Sequence, residues 1–165
     1  MNRGPERPET QSTPVAGWRE RVDFPEWKLS GVRAKLDTGA RTSAIDVATI
    51  EHLDDGRIRF EVVGRHAPKR TTKWVEATPV RTSVVKPSHG KKQERIVCRT
   101  PIRIGTIETE IEIGLVCRKN MLCRMLLGRT ALAGRVLVDS ESKYRLTERS
   151  RKKHRERFGP LNPAR

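Results

Sequence analysis

From Ile107 to Ile113 the chain alternates strictly: Ile107, Thr109, Ile111 and Ile113 fall on one side, Glu108, Glu110 and Glu112 on the other. A period of two puts these sets on opposite faces of a strand, one apolar and one acidic. Shorter runs of the same kind recur on both sides of it. Residues 18–24 alternate and stop at Pro25, residues 31–36 form the next run, and residues 42–50 are rich in Ser, Thr, Val and Ile. Asp54-Asp55-Gly56 is a turn signal before residues 57–63, which predicts a hairpin. Residues 74–85 and 95–104 are two further strands joined by a polar connection, 86–92, with the shape of a flap. Gly105-Thr106 turns the chain into the alternating strand. Beyond a loop over 117–123, residues 125–128 predict an apolar strand entering one short helix, 130–133, which Gly134 ends. Residues 136–139 make a last strand and 144–146 an added edge. Many short strands with turn residues between them predict an all-β barrel or sandwich.

Composition narrows this to one small domain. Residues 1–16 hold three prolines with few apolar residues, which predicts a disordered leader, without the apolar segment of a signal peptide. The stretch 148–165, ERSRKKHRERFGPLNPAR, is basic and predicts a disordered or marginally helical tail. The globular region is therefore 17–147. Only 35% of the chain is hydrophobic and 4% aromatic, so its core must be compact and aliphatic. No run is long and apolar enough to cross a membrane. Cys98, Cys117 and Cys123 are an odd set without a disulfide framework, which points to a reducing, cytoplasmic compartment and to small buried fillers. The net charge of +15 attracts acidic partners. The arginines and lysines between Arg149 and Arg157 fit either a solvated tail or neutralisation of nucleic-acid or ribosomal phosphates.

Candidate chemistry centres on Asp37-Thr38-Gly39-Ala40 within KLDTGARTSAID, where a strand ends on a carboxylate and drops into a tight turn. Gly39 lets backbone pass close beneath the site, and Thr38 and Ser43 offer short hydroxyls. Asp-x-Gly is also common turn chemistry. A second stretch changes the balance: Met125-Leu126-Leu127-Gly128-Arg129, two bulky apolar residues running into Gly-Arg.

Together the two stretches resemble the retropepsin-like aspartic peptidases. The likeness is closer to a bacterial and archaeal branch labelled "ATP-dependent zinc protease" and associated with RimK-type glutamate ligases. The matching pieces are residues 34–44, 85–90, Cys117-Arg118 with Met121, 125–132, and Val138-Asp139. The resemblance implies a closed β-barrel with one short C-terminal helix. It implies an aspartic endopeptidase in which Asp37, with Thr38 and Gly39, forms the catalytic loop. Only one such acid is present, so a homodimer must bring two copies of Asp37 together. Thr38 would bond across that two-fold axis. Ala40, Arg41, Ser88, His89 and Gly90 would meet a peptide or protein substrate, with 88–90 as the flap tip, and Gly128 and Arg129 would support the loop. Retroviral members carry an acid at the position of Arg41, which pairs with the Arg of the Gly-Arg segment. Arg129 therefore needs another partner, Asp46 or Asp139, and Arg41 is free to face an acidic substrate. The ligase association adds a RimK-type partner and a glutamate-rich protein tail as substrate. Asp23, Asp46, Asp54, Asp55 and Asp139 read as turn or surface residues.

The family label itself fits the residues poorly. No HExxH or CxxC spacing is present for zinc, and His52, His66, His89 and His154 are scattered. No GxxxxGK[ST] loop is present to cradle ATP phosphates. No metal or cofactor is expected. The alternatives to the peptidase are a non-catalytic module of the same fold that binds RNA or a ribosomal protein, and the zinc metallopeptidase of the label.

Overall fold

A computed structural model describes residues 12–65, 69–86, 90–117 and 122–147. Residues 1–11 of the leader, the flap residues Ser88 and His89, Arg118, Met121 and the tail 148–165 lie outside them. Ten strands and one helix follow in order: β1 (Val15–Phe24), β2 (Leu29–Leu36), β3 (Ser43–His52), β4 (Ile58–Arg65), β5 (Thr71–Ala77), β6 (Pro79–Val85), β7 (Gln93–Ile104), β8 (Ile107–Val116), β9 (Met125–Leu127), α1 (Arg129–Leu132) and β10 (Leu137–Lys143).

Six of these strands close a barrel in the order β1-β2-β9-β3-β8-β7 and back to β1, where Asp23 pairs with Arg103. The all-β closed barrel with one short helix is thus the fold. Its inner face is apolar and mostly aliphatic, with Val22, Phe24, Ala34, Leu36, Ile45, Ile102, Ile113, Met125 and Leu127 all buried. The alternating β8 behaves as its sequence predicts: Ile111 and Ile113 are buried while Glu108 and Glu110 face solvent. Four strands lie off the ring, with β4 continuing from the far half of β3, β5 on β4, β6 on β7 and β10 on β1. The Asp54-Asp55-Gly56 turn joins β3 to β4 as an antiparallel hairpin, with Gly56 at φ +80°. Trp27 stacks on Phe24, centroids 4.9 Å apart, and meets Phe60 edge-on at 5.3 Å, which ties this arm to the barrel core. No helix among the described residues is long and apolar enough to cross a membrane.

Several boundaries differ from the sequence expectation, each for a physical reason. Val15 and Ala16 belong to β1 rather than to a leader: they pair with Leu137 and Val138, and Ala16 is fully buried. The run 74–85 is two strands, because the chain breaks before Pro79, which has no N–H for a ladder. β10 reaches Lys143, further than its apolar residues indicate, because its parallel pairing with β1 carries it. Residues 144–146 are not an edge strand. Tyr144 takes a left-handed φ of 57° that ends β10, and the chain then turns under the buried Glu20. That carboxylate accepts hydrogen bonds from the N–H of Gly17 (2.7 Å), Leu146 (3.0 Å) and Thr147 (3.2 Å) and from the Thr147 hydroxyl (2.6 Å). Four donors satisfy a charge that has left water, and they fasten the end of the domain to β1.

Candidate active site

Asp37 follows directly on β2, the strand whose inward residues Val32, Ala34 and Leu36 anchor it in the core. β2 pairs in parallel with β9, and the Asp37 N–H extends that ladder by donating to the Leu127 carbonyl at 2.8 Å. The turn that follows is organised by the carboxylate itself. Its Oδ1 accepts the N–H groups of Gly39 (3.0 Å) and Ala40 (3.2 Å), and the Asp37 carbonyl accepts the Ala40 N–H again at 3.3 Å. One oxygen is thereby fixed by the turn, and the other, Oδ2, faces away from these two N–H groups. The Asp37 side chain is 30% exposed, and the Lys35 ammonium lies 3.8 Å from Oδ2. Thr38, Gly39 and Arg41 face solvent. Among the described residues the Thr38 hydroxyl makes no hydrogen bond within the chain.

The segment after β9 packs against this loop. A Cβ at Gly128 would lie 2.7 Å from the carbonyl carbon and oxygen of Thr42 and 2.8 Å from that of Arg41. Only glycine allows so close an approach. The Gly128 N–H donates to Ser43 Oγ at 3.1 Å, Arg129 N–H to the Ala40 carbonyl at 2.8 Å, and Thr130 N–H to the Arg41 carbonyl at 3.1 Å. Replacing Gly128 by Ala is expected to cost about 1–3 kcal/mol through this overlap and to lower any activity of the loop by moving residues 41–42. Urea unfolding with a parallel peptide-hydrolysis assay measures both, and an unchanged unfolding midpoint would contradict the packing.

The partner of Arg129 is neither Asp46 nor Asp139. Its guanidinium Nη1 donates to the carbonyl oxygens of Thr38 (3.2 Å) and Gly39 (3.0 Å), so backbone acceptors take the place of an acid. Asp46 is itself no surface residue: it is 2% exposed and pairs with Arg124 at 2.8 Å. Asp139 pairs with Arg145 at 2.6 Å, and that hydrogen bond, helped by backbone N–H of Glu141, holds its carboxyl down at about 2. Cys98 and Cys123 are buried as expected of fillers, and burial pushes the Cys98 thiol up to about 11; Cys117 is exposed.

Beside the loop opens a cleft of ≈ 1070 Å³ bounded by Asp37, Ala40 and Arg41 on one side and by β6 with the outer face of β8 on the other. Ala40 and Arg41 therefore share one site with Asp37. Arg81, Lys86 and Arg95 line it, against Glu110 and Glu112. Arg81 and Arg99 both bond Glu112, at 2.9 and 3.1 Å, and hold its carboxyl below the usual range. Sequence reasoning missed these wall residues and Lys35, whose roles depend on pairing between distant strands. β6 and β7 form the antiparallel hairpin anticipated for a flap, paired as far as Val85 and Gln93. Gly90, at φ +138°, lies just outside that register. Among the described residues no three His, Cys, Asp or Glu side chains group to hold a metal, so the donors for the zinc of the label are not assembled there.

Comparison with known proteins agrees with this geometry. Residues 15–151 match the RimB-like family, described as "Retropepsin-like aspartic endopeptidase RimB". A probable alpha-L-glutamate ligase of Desulfotalea psychrophila is 32% identical over 140 residues, covering 83% of this chain and 30% of the ligase. One from Parasynechococcus marenigrum is 30% identical over 154 residues, covering 92% and 33%. The chain thus spans about a third of the length of the curated relatives it matches. A crystal structure of a Legionella pneumophila protein of unknown function superposes with a TM-score of 0.67 at 26% identity, covering 82% of this chain and 99% of that one. An Asp-Thr-Gly-Ala turn held from below by Gly-Arg, on a closed β-barrel, places the chain in the RimB-like family of retropepsin-like proteins.

Proposed function

We propose that this chain is an aspartic endopeptidase that hydrolyses peptide bonds through a dyad formed by Asp37 of two subunits. One observation carries the reading: the turn immobilises one oxygen of Asp37 and leaves the other at an open cleft, and the sequence holds no second Asp-Thr-Gly turn to face it. Aspartic peptidases need two facing carboxylates that hold one proton between them, one acid activating water and the other protonating the leaving amine. A two-fold axis beside the loop supplies the second from an identical chain. To the exposed Thr38 hydroxyl, which makes no hydrogen bond among the described residues, we assign a contact across that axis. The flap is the β6–β7 hairpin, with Ser88, His89 and Gly90 closing over substrate.

The substrate class follows from the cleft and from the relatives. Arg41 and Lys86 stand on its walls without an acidic partner among the described residues, which favours an acidic peptide. Relatives named as probable glutamate ligases contain a segment like this chain, so a glutamate-bearing protein tail made by such a ligase is the substrate we assign, with the ligase as partner in the cytoplasm. The test is hydrolysis of a glutamate-rich peptide and of a mixed peptide pool over a range of enzyme concentrations. Activity per chain should rise with concentration until the dimer is saturated and should survive a metal chelator. Chelator-sensitive cleavage would favour a metallopeptidase. Absence of cleavage at every concentration, with the ligase present or absent, would leave a binding module.

A further inference from the structure

On the outer face of the β1–β2 ladder, like charges stand directly opposite each other. Arg19 pairs with Lys35, and Arg21 with Arg33. Parallel pairing on the other side sets Arg19 opposite Lys143 as well. Like charges at such positions destabilise a sheet, and no ion pair among the described residues relieves Arg19, Arg21 or Arg33. The Nε of Arg19 is buried and lacks an acceptor. The Trp18 ring lies against the Arg19 guanidinium (4.6 Å) and the Lys143 ammonium (5.2 Å) and offsets part of that repulsion, whereas Arg21 and Arg33, further along the ladder, have no acidic partner among the described residues.

The far end of this ladder opens into a groove of ≈ 550 Å³ between the β1–β2 and β4–β5 hairpins. Arg21 of β1 with Ser30 and Arg33 of β2 line one wall, and Thr71, Thr72 and Lys73 of β5 the other. Among the described residues no carboxylate lines it. Asp23, the neighbouring acid on β1, is engaged elsewhere, accepting from the Gly31 N–H at 2.8 Å and from Arg103 at 3.3 Å. The cations are also positioned in advance. The Arg21 guanidinium lies over the Tyr144 ring, 5.1 Å from its centroid, and Lys73 donates to the Lys28 carbonyl.

We propose that this groove is a binding site for a phosphate-bearing ligand, separate from the Asp37 cleft. Two guanidinium forks, an ammonium and three hydroxyls match a group with three or more acceptor oxygens and about two negative charges. A single carboxylate brings half that charge and two oxygens. The phosphate comes either from a free oligophosphate or from a nucleic-acid backbone, and the groove recognises the chemistry that these share.

Inorganic pyrophosphate, titrated calorimetrically into the full chain at low salt, is the direct probe, with a ribo-oligonucleotide and a tetraglutamate peptide as the other arms. Saturable pyrophosphate binding should weaken at least about tenfold in Arg33→Gln and in Lys73→Gln, and should be unchanged in Arg99→Gln, which removes the same charge from another face. Without ligand, Arg33→Gln should melt no lower than wild type, because it relieves a like-charge pair. With pyrophosphate, only wild type and Arg99→Gln should gain thermal stability. Displacement of bound pyrophosphate by the oligonucleotide would assign the site to a nucleic-acid backbone, and failure to displace it would assign a free oligophosphate. No saturable binding, binding that all three variants share, or tighter binding of tetraglutamate at the same residues would overturn the proposal. None of these readings depends on peptidase activity.

Discussion

Asp37→Asn is expected to lower peptide hydrolysis by about a thousandfold while leaving the fold and its assembly intact. The separation of the two effects follows from the turn. Oδ1 of Asp37 serves structure, accepting the N–H groups of Gly39 and Ala40, and the amide oxygen of an asparagine keeps both bonds. What the substitution removes is Oδ2, the carboxylate oxygen that the turn does not hold, and with it the proton that the proposed dyad would share. The Lys35 contact at 3.8 Å is lost too, but Lys35 is exposed and Asp37 partly so, and such pairs contribute little to stability. Thermal unfolding and solution mass should therefore match wild type while turnover disappears. Retained turnover in a folded variant would remove Asp37 from the chemistry.

The largest stability effect is expected at Arg124. Its side chain is 11% exposed and its partner, Asp46, 3%, with 2.8 Å between them. Asp46 also donates its N–H to the Arg124 carbonyl at 2.7 Å, so the pair joins the start of β3 to the chain entering β9. Arg124→Ala removes the cation paired with a buried carboxylate and should cost about 3–5 kcal/mol, lowering the melting temperature by about 10 °C. The double change Asp46→Leu with Arg124→Met removes both charges and should recover most of that loss, because a well-packed apolar pair avoids the desolvation of two ions. Urea unfolding of the single and double variants distinguishes a buried pair from a surface contact. Equal losses in both would show that packing, not charge, dominates. Because β9 also carries Leu127, whose carbonyl receives the Asp37 N–H, the single variant should lose activity along with stability.

What sequence could show was local chemistry. The Asp-Thr-Gly-Ala turn needs only its own carboxylate and two N–H groups, and Gly128 announces close packing by its type alone. The period of β8 survives because one face of that strand is core and the other solvent. Arg129 was harder: its acceptors are the carbonyls of Thr38 and Gly39, and a backbone carbonyl has no residue signature. A sequence search for its partner looks for acids and finds Asp46 and Asp139, which other arginines hold. Asp46 looks like a surface residue until β3 brings it beside Arg124, 78 positions away. Pro79 did carry a readable break between β5 and β6. The like-charge ladder of β1 and β2 needs the register of two strands, and Lys73 joins it only through the packing of two hairpins.

The central claim is that each catalytic site takes one Asp37 from each of two chains, and mixing tests it most directly. Wild type and Asp37→Asn, combined in equal amounts, dissociated and reassembled, should form mixed dimers in which every site holding one altered chain is inactive. The account predicts that about a quarter of the activity of undiluted wild type survives, the share of dimers with two intact chains. Survival of about half, in proportion to wild-type chains alone, would mean that each chain works by itself and would contradict the shared dyad.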